Sequence, residues 1–297
     1  MLTGLSAFPL TPMNEQTIDE VAFVGLIERL AAAGVDSIGV LGSTGNYAYL
    51  TRDERARITR LAVAHAGEVP VIVGISALRT REVLALAEDA EASGASAVLL
   101  APMSYQPLSD EEVFGLYQDA TARLSVPMCV YDNPGTTHFT FSDELHGRIA
   151  QLPGVASIKI PGVPVEPEAA RERVERLRTL VPAGVTIGVS GDPMAAIGLN
   201  AGCDAWYSVI GGLFPETALA ITRTAQAGRA EEALRLSQRL ESLWALFRQH
   251  GGSLRVVATA AELSSLAESP SLPLPLKTLE GRERQALAAL LEELALA

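Results

Sequence analysis

The sequence predicts a (β/α)8 TIM barrel with a C-terminal three-helix extension. Eight short apolar runs follow one another along the chain. Their starts lie roughly 20–35 residues apart, which is the length of a strand plus a crossover helix. Helical patterns fill the intervals, as expected for eight repeated β/α units. A doubly wound α/β sheet is the competing arrangement, but the glycine-rich dinucleotide fingerprint of that fold is missing.

The eight strands are predicted inside the apolar runs. Strands of a parallel barrel are buried on both faces, so they occur in a sequence as continuous apolar stretches. The runs are 4–10, 36–42, 70–76, 96–102, 127–133, 155–161, 184–191 and 204–211. Catalytic groups of such barrels lie at the carboxyl ends of the strands. We therefore expect the functional residues at the ends of these runs.

Helices are predicted between the runs, and several have capping signals. Thr51 with Glu54, and Ser109 with Glu112, have the spacing of a capping box. The predicted barrel helices include 18–34, 51–67, 109–124, 192–202 and 214–227.

About 70 residues remain after the last barrel helix, and they predict an appendage. Three helical patterns occupy this part, at 229–249, 253–267 and 277–296. We therefore predict two domains, a catalytic barrel over 1–227 and a C-terminal helical extension over 228–297.

The composition excludes several classes of protein. Of the 297 residues, 48% are hydrophobic and 20% charged, as in a globular protein with a sizeable core. The formal charge is −12 and no basic patch is present, so no nucleic acid partner is expected. No apolar stretch could span a membrane and the start lacks a signal-peptide pattern, so we expect no membrane partner and a cytoplasmic location.

Cys129 and Cys203 are expected to be buried free thiols, and the scattered histidines predict no metal site.

Lys159 is the residue on which the functional hypothesis depends. It interrupts an apolar run, in a chain with only one other lysine, Lys277, which is expected at the surface. A buried, unpaired ammonium is costly and tends to lose its proton. The resulting amine can attack a carbonyl to form a Schiff base, whereas arginine stays protonated. The alternative is a lysine held by an acid such as Asp132 or Asp192, or one that reaches water.

Two other strand ends carry groups that suit carbonyl chemistry. The second run is followed by Gly-Ser-Thr-Gly at 42–45, a turn whose backbone N–H groups and hydroxyls could hold a carboxylate. Tyr131 ends the fifth run. A buried structural tyrosine is common at such a place, but beside a Schiff-base lysine its hydroxyl could relay protons.

Three motifs make the chain resemble the dihydrodipicolinate synthase / N-acetylneuraminate lyase family of class I, pyruvate-dependent aldolases. GSTGNYAYLTRDER resembles the family loop G-[ST]-T-G-E-x-x-x-L-[ST]-x-x-E-[RK]. VYDNPGTTHFTFSDEL resembles the strand-5 segment Y-N-x-P-x-x-[ST], and GVASIKIPG resembles the Schiff-base strand G-[IV]-K. The resemblance covers nearly the whole chain. It implies a lyase that needs no cofactor beyond the covalent imine, and a homo-oligomer, either a dimer or a homotetramer built from dimers.

The resemblance also implies roles for individual residues. Lys159 would form the imine with pyruvate or another 2-oxo acid, and Tyr131 would transfer protons. The substrate-binding residues would be Ser43 and Thr44 at the carboxylate, with Gly191 and the main chain near Tyr207 lining the pocket. The imine would act as an electron sink for making or breaking a neighbouring C–C bond.

Several positions depart from the family pattern. Asn46 replaces the usual glutamate of the loop. Thr136 stands where the synthases have an arginine that grips the carboxylate of their aldehyde substrate, so dihydrodipicolinate synthesis is not expected. Ser104, with Tyr105 next to it, stands where a tyrosine of the synthases reaches a neighbouring subunit, which leaves the proton relay open.

The sequence therefore predicts a carbon–carbon lyase that uses Lys159 on pyruvate or a larger 2-oxo acid, by C–C bond cleavage or formation or by dehydration. One alternative is another barrel enzyme, which holds a phosphate at Ser-Gly-Asp-Pro, residues 190–193. A second alternative is a barrel that binds a 2-oxo acid without turning it over.

Overall fold

Eight parallel strands close into a barrel in the computed structural model of the chain, which describes residues 2–296. Each strand pairs with its successor and the eighth pairs with the first, so the spatial order of the strands is their order in the sequence. The strands are β1 (Gly4–Ala7), β2 (Ser37–Val40), β3 (Val71–Gly74), β4 (Ala97–Leu100), β5 (Met128–Tyr131), β6 (Val155–Ile160), β7 (Thr186–Val189) and β8 (Ala205–Ser208). All eight lie inside the predicted runs, and the predicted barrel is confirmed.

Helices connect the strands. They are α1 (Glu20–Ala33), α2 (Arg52–His65), α3 (Thr80–Ala92), α4 (Asp110–Thr121), α5 (Pro134–Thr137), α6 (Asp143–Ala150), α7 (Pro167–Leu180), α8 (Ala195–Asn200) and α9 (Pro215–Gln226). Both predicted capping boxes are present: Thr51 and Glu54 cap α2 reciprocally, and Ser109 and Glu112 do the same at α4. Each satisfies backbone N–H groups that a helix start would otherwise leave unpaired.

Beyond the barrel, residues 228–296 hold four helices where the sequence predicted three. They are α10 (Ala230–Gln238), α11 (Glu241–Gln249), α12 (Leu254–Leu263) and α13 (Gly281–Leu294). The single helix predicted over 229–249 is wrong. The Ser237 carbonyl, which would accept from residue 241 in a continuous helix, accepts instead from the Leu240 N–H and from the Trp244 indole N–H, each at 3.0 Å. The division of the chain at residue 228 stays a prediction.

The barrel interior is shaped to enclose aromatic rings near Lys159. Phe8 and Tyr207 belong to a buried cluster inside the barrel. An added Cβ at Gly39 would overlap the Phe8 ring, and one at Gly188 would overlap the Tyr207 ring. Both glycines therefore provide the space that lets these rings stand beside the lysine.

Candidate active site

A cavity of about 680 Å³ lies at the carboxyl ends of the strands. The predicted site residues that line it are Ser43, Thr44, Tyr131, Thr136, Lys159, Gly191 and Tyr207. The barrel thus brings together residues that are far apart in the sequence, as expected if the strand ends form one site. The chemical roles of these residues remain predictions.

The Lys159 amine is enclosed by aromatic rings. Its Nζ lies 3.9 Å from the ring centroid of Phe8, 4.0 Å from that of Tyr131 and 5.6 Å from that of Tyr207. Lys159 is only 4% exposed. Burial lowers the pKa of Lys159 from 10.5 to about 7, because the ammonium form loses its hydration. Much of the amine is therefore neutral at neutral pH, which is the nucleophilic form.

Neither aspartate considered as a partner forms an ion pair with Lys159. Asp192 is buried and accepts hydrogen bonds from the Trp206 indole N–H, at 3.0 Å, and from two backbone N–H groups. Asp132 faces His146, with Oδ2 3.5 Å from Nε2. The alternative of a lysine held by one of these acids is therefore wrong.

A series of polar side chains begins at Tyr131, whose Cα pairs with that of Lys159 across β5 and β6. The Tyr131 hydroxyl lies 3.4 Å from Ser43 Oγ. The side-chain amide of Asn133 donates to Ser43 Oγ at 3.1 Å and to Thr136 Oγ1 at 2.6 Å. Burial raises the pKa of Tyr131 to about 12, so the phenol keeps its proton at neutral pH and can donate it. The sequence analysis missed Asn133, although it lies between two motif residues.

The loop after β2 offers hydrogen-bond donors of the kind that a carboxylate needs. The backbone N–H groups of Ser43 and Thr44 donate to no other group in residues 2–296. Leu41 has a φ of 57°, a left-handed conformation that costs energy for a branched side chain. The Asn46 amide donates to the Thr11 carbonyl at 3.2 Å and so ties the loop to the segment after β1. The loop therefore has a fixed conformation with unpaired donors.

The segment after β4 does not provide a proton relay within one chain. Ser104 Oγ donates to the Gln106 carbonyl at 2.6 Å and accepts from the Gln106 N–H at 3.1 Å, which is a local turn. Tyr105 is 91% exposed. Neither Ser104 nor Tyr105 lines the cavity of the single chain, and a relay through either residue stays a prediction.

The C-terminal helices supply part of the cavity wall, which the sequence analysis missed. The lining residues from this part are Phe247, Arg248, Gly251, Gly252, Ser253, Leu254, Arg255 and Leu276. They come from the end of α11, the start of α12 and the segment before α13. They belong to no recognised motif and lie outside the strand ends, where the functional residues of such barrels are expected.

Both cysteines are buried free thiols, as predicted. In residues 2–296 no group of three or more His, Cys, Asp or Glu side chains is placed to hold a metal ion. No helix in the same part of the chain is long and apolar enough to cross a membrane. The expectations that the protein needs no metal and contacts no membrane stay predictions.

A (β/α)8 barrel with a buried, partly neutral lysine in its sixth strand has the arrangement of a class I aldolase, which binds a carbonyl substrate as an imine. The chain belongs to the dihydrodipicolinate synthetase family, whose family model matches residues 1–294. The resemblance inferred from the three motifs is confirmed.

The relatives of known sequence and structure are similar over almost their whole length. A 4-hydroxy-tetrahydrodipicolinate synthase of Methylococcus capsulatus is 30% identical, over 97% of this chain and 98% of that protein. The crystal structure of a dihydrodipicolinate synthase from Agrobacterium tumefaciens is 47% identical, with a TM-score of 0.94 over 99% of this chain and 98% of that one. A putative dihydrodipicolinate synthetase from Pseudomonas aeruginosa is 30% identical, with a TM-score of 0.90 over 99% and 100%.

These names do not bear out the expectation that the chain is not a dihydrodipicolinate synthase. That expectation depended on the absence of an arginine at Thr136. It took no account of Arg248 and Arg255, which the C-terminal helices bring to the same cavity.

Proposed function

We propose that the chain is a lyase that binds pyruvate or a larger 2-oxo acid as an imine on Lys159. The observation that carries this proposal is the Lys159 amine, which is buried among aromatic rings and has a pKa of about 7. A cytoplasmic homo-oligomer remains part of the proposal.

Imine formation needs a nucleophile and a proton relay. The Lys159 Nζ adds to the ketone carbon, and the two amine protons leave with the ketone oxygen as water. The protonated Tyr131 hydroxyl, next to Ser43 Oγ, can pass these protons to the leaving oxygen. Protonation of the imine then draws electrons from the adjacent carbon, so that a C–C bond there can form or break.

The substrate carboxylate needs donors, and the loop after β2 supplies them. The Ser43 and Thr44 side chains line the cavity together with Lys159. Their unpaired backbone N–H groups add donors whose dipoles favour an anion. A 2-oxo acid bound in this way has its ketone next to its carboxylate and therefore near the lysine.

The relatives' names put the condensation of pyruvate with aspartate semialdehyde first among the reactions to assay. Cleavage or dehydration of a larger 2-oxo acid is the second candidate. The Thr136 hydroxyl is already bonded to Asn133, so in either reaction a charge for a second carboxylate of the substrate would have to come from elsewhere in the cavity.

The phosphate-binding alternative has little support. The turn at residues 190–193 opens a 3₁₀ turn of only three residues, Asp192–Met194. The buried Asp192 carboxylate belongs to this turn and would repel a phosphate there.

Borohydride trapping tests the proposal. Pyruvate with borohydride should add one reduced adduct, located on Lys159 by peptide mapping, whereas the exposed Lys277 is an internal control. An unmodified Lys159 would overturn the proposal. Turnover of pyruvate with aspartate semialdehyde, or of any larger 2-oxo acid, would exclude the non-catalytic alternative.

A further inference from the structure

The cavity is larger than a three-carbon acid requires. Its volume of about 680 Å³ falls within the range of roughly 300–1,000 Å³ of pockets that enclose drug-sized ligands. Pyruvate held by Lys159, Ser43 and Thr44 would leave the wall from the C-terminal helices without a ligand. The side chains of that wall therefore indicate which chemical group a larger substrate would carry beyond its first three carbons.

Two arginines lie in this wall, and only one of them has an acidic partner. The Arg248 guanidinium forms an ion pair with Glu241. Arg255 is half-buried, and its guanidinium has no ion pair or hydrogen bond within residues 2–296. Since arginine does not release its proton at working pH, Arg255 brings an unmatched positive charge to the cavity.

No carboxylate in the lining forms an ion pair with Arg255. Asp192 is the one acid among the lining residues, and three N–H groups already donate to it. The wall from the C-terminal helices thus carries a net positive charge, although the whole chain has a formal charge of −12. A local field of this sign concentrates anions in the cavity.

The start of α12 adds to the same effect. Ser253 is its N-cap and makes no side-chain capping hydrogen bond. The residues from Gly251 to Arg255 line the cavity, so the positive end of the helix lies at the same wall. This feature supports Arg255, which provides the full charge.

We propose that Arg255 binds a second carboxylate of the substrate. The site would then take 2-oxo acids, or aldehyde acceptors, that carry an acidic group at the far end of the carbon chain. This assignment rests on the proposed function, because Lys159 and the loop after β2 must hold the first carboxylate and the ketone. A guanidinium can grip a carboxylate with two parallel hydrogen bonds. Such a grip would supply from α12 the charge that Thr136 lacks.

The test compares 2-oxo acids that differ only in the far group. 2-Oxoglutarate and 2-oxopentanoate have the same number of carbons, but only the first ends in a carboxylate. 2-Oxoadipate and 2-oxohexanoate form a second pair that is one carbon longer and extends the reach. The concentration of each acid that gives half-maximal borohydride trapping on Lys159 is read by intact mass.

We expect the wild-type protein to prefer the dicarboxylic member of at least one pair by about 10–100-fold, the effect of one hydrogen-bonded charge. Arg255→Met should bring this ratio close to 1, and Arg255→Lys should keep part of it. Arg282→Met is the control, because it removes an exposed guanidinium that does not line the cavity. It should retain the wild-type preference.

Three results overturn the proposal. Wild-type protein that traps pyruvate but shows no dicarboxylate preference in either pair refutes the Arg255 assignment alone. So does Arg255→Met protein that keeps the preference while its melting temperature shows it to be folded. A wild-type protein that traps no 2-oxo acid, pyruvate included, refutes the proposed function and this assignment with it.

Discussion

At Lys159, burial disfavours the charged ammonium form and therefore favours the neutral amine, which is the nucleophilic form. An ordinary lysine has about one neutral amine in 3,000 at pH 7. With a pKa of about 7, roughly half of the Lys159 amines are neutral at that pH. The rings of Phe8 and Tyr131 provide this effect by excluding water from Nζ. No charged neighbour is needed to lower the pKa.

The first prediction concerns the pH dependence of imine formation. The pKa of Lys159 is lowered, so the neutral fraction rises as the pH increases through about 7. We expect the initial rate of pyruvate adduct formation to rise about tenfold from pH 6 to pH 8 and then to level off. Quenched-flow borohydride trapping measures this rate. A rate that keeps rising tenfold per pH unit above pH 8 would show an ordinary amine. Lys159→Arg should give no adduct at any pH.

The second prediction concerns the carboxylate. Thr44→Val keeps the shape of a buried side chain and removes one hydroxyl. Losing a hydrogen bond to a charged group costs about 1.5–3 kcal/mol. Pyruvate should therefore bind at least tenfold more weakly, as measured by the concentration dependence of trapping. Thr140→Val, at an exposed position, is the control and should bind normally. An unchanged constant for Thr44→Val would remove this residue from the site.

At the scale of the elements, the helical pattern is interrupted between α10 and α11, ahead of the C-terminal residues that line the cavity. Leu240, within the interruption, and Trp244, in α11, are both buried. The hydrogen bond from the Trp244 indole to the Ser237 carbonyl compensates for the interrupted helix. No glycine or proline marks the position, so a local pattern of apolar residues could not predict it.

The third prediction tests that hydrogen bond. Trp244→Phe keeps an apolar ring in a buried position and leaves the Ser237 carbonyl without its indole partner. The Leu240 N–H still donates to that carbonyl, so the expected loss is that of one hydrogen bond, about 0.5–1.5 kcal/mol of the free energy of unfolding. Because about 1 kcal/mol corresponds to roughly 2–4 °C for a chain near this size, calorimetry should detect a clear decrease in the melting temperature. An unchanged melting temperature would mean that the break does not depend on the indole.

The strands and the buried lysine could be predicted because they follow rules that apply locally. Continuous apolar runs mark buried parallel strands, and a lone lysine in such a run is conspicuous. Asn133, Phe8 and Arg255 could not be found in this way. They are ordinary residues locally, and only the closure of the barrel and the docking of α12 bring them to the cavity. Ser104 shows the converse, since its motif position suggested a role, whereas in the single chain its hydroxyl is bonded within a local turn.

For the molecule as a whole, the buried pair of His146 and Asp132 makes the free energy of unfolding depend on pH. His146 is fully buried and stacks on Phe141, with ring centroids 4.8 Å apart. Its Nε2 lies 3.5 Å from Oδ2 of Asp132, the residue that follows Tyr131 in the chain. Burial raises the pKa of Asp132 to about 7 and lowers that of His146 to about 4. The charge of Arg173 lowers both pKa values.

The two shifts act on stability with opposite signs. Between about pH 4 and 7 the folded state keeps a proton on Asp132 that the unfolded state releases, so stability falls as pH rises. Between about pH 4 and 6.5 the unfolded state protonates a histidine that stays neutral when folded, so stability rises with pH. In the wild-type protein the two contributions largely cancel below pH 6.5. Above pH 6.5 only the cost of ionising Asp132 remains.

The fourth prediction separates these contributions. Asp132→Asn replaces the carboxyl with the amide that the family motif has at this position, and its N–H can donate to His146 Nε2. Without the buried carboxylate, the free energy of unfolding at pH 8 should rise on the order of 2 kcal/mol above wild type. It should also fall more steeply than wild type as the pH decreases from 6.5 to 4.5, because the histidine contribution is no longer opposed. Urea unfolding at pH 4.5, 6, 7 and 8 measures both effects. Asp119→Asn removes a charge at an exposed site and should follow the wild-type profile. If Asp132→Asn also followed that profile, the pair would not contribute to the pH dependence of folding.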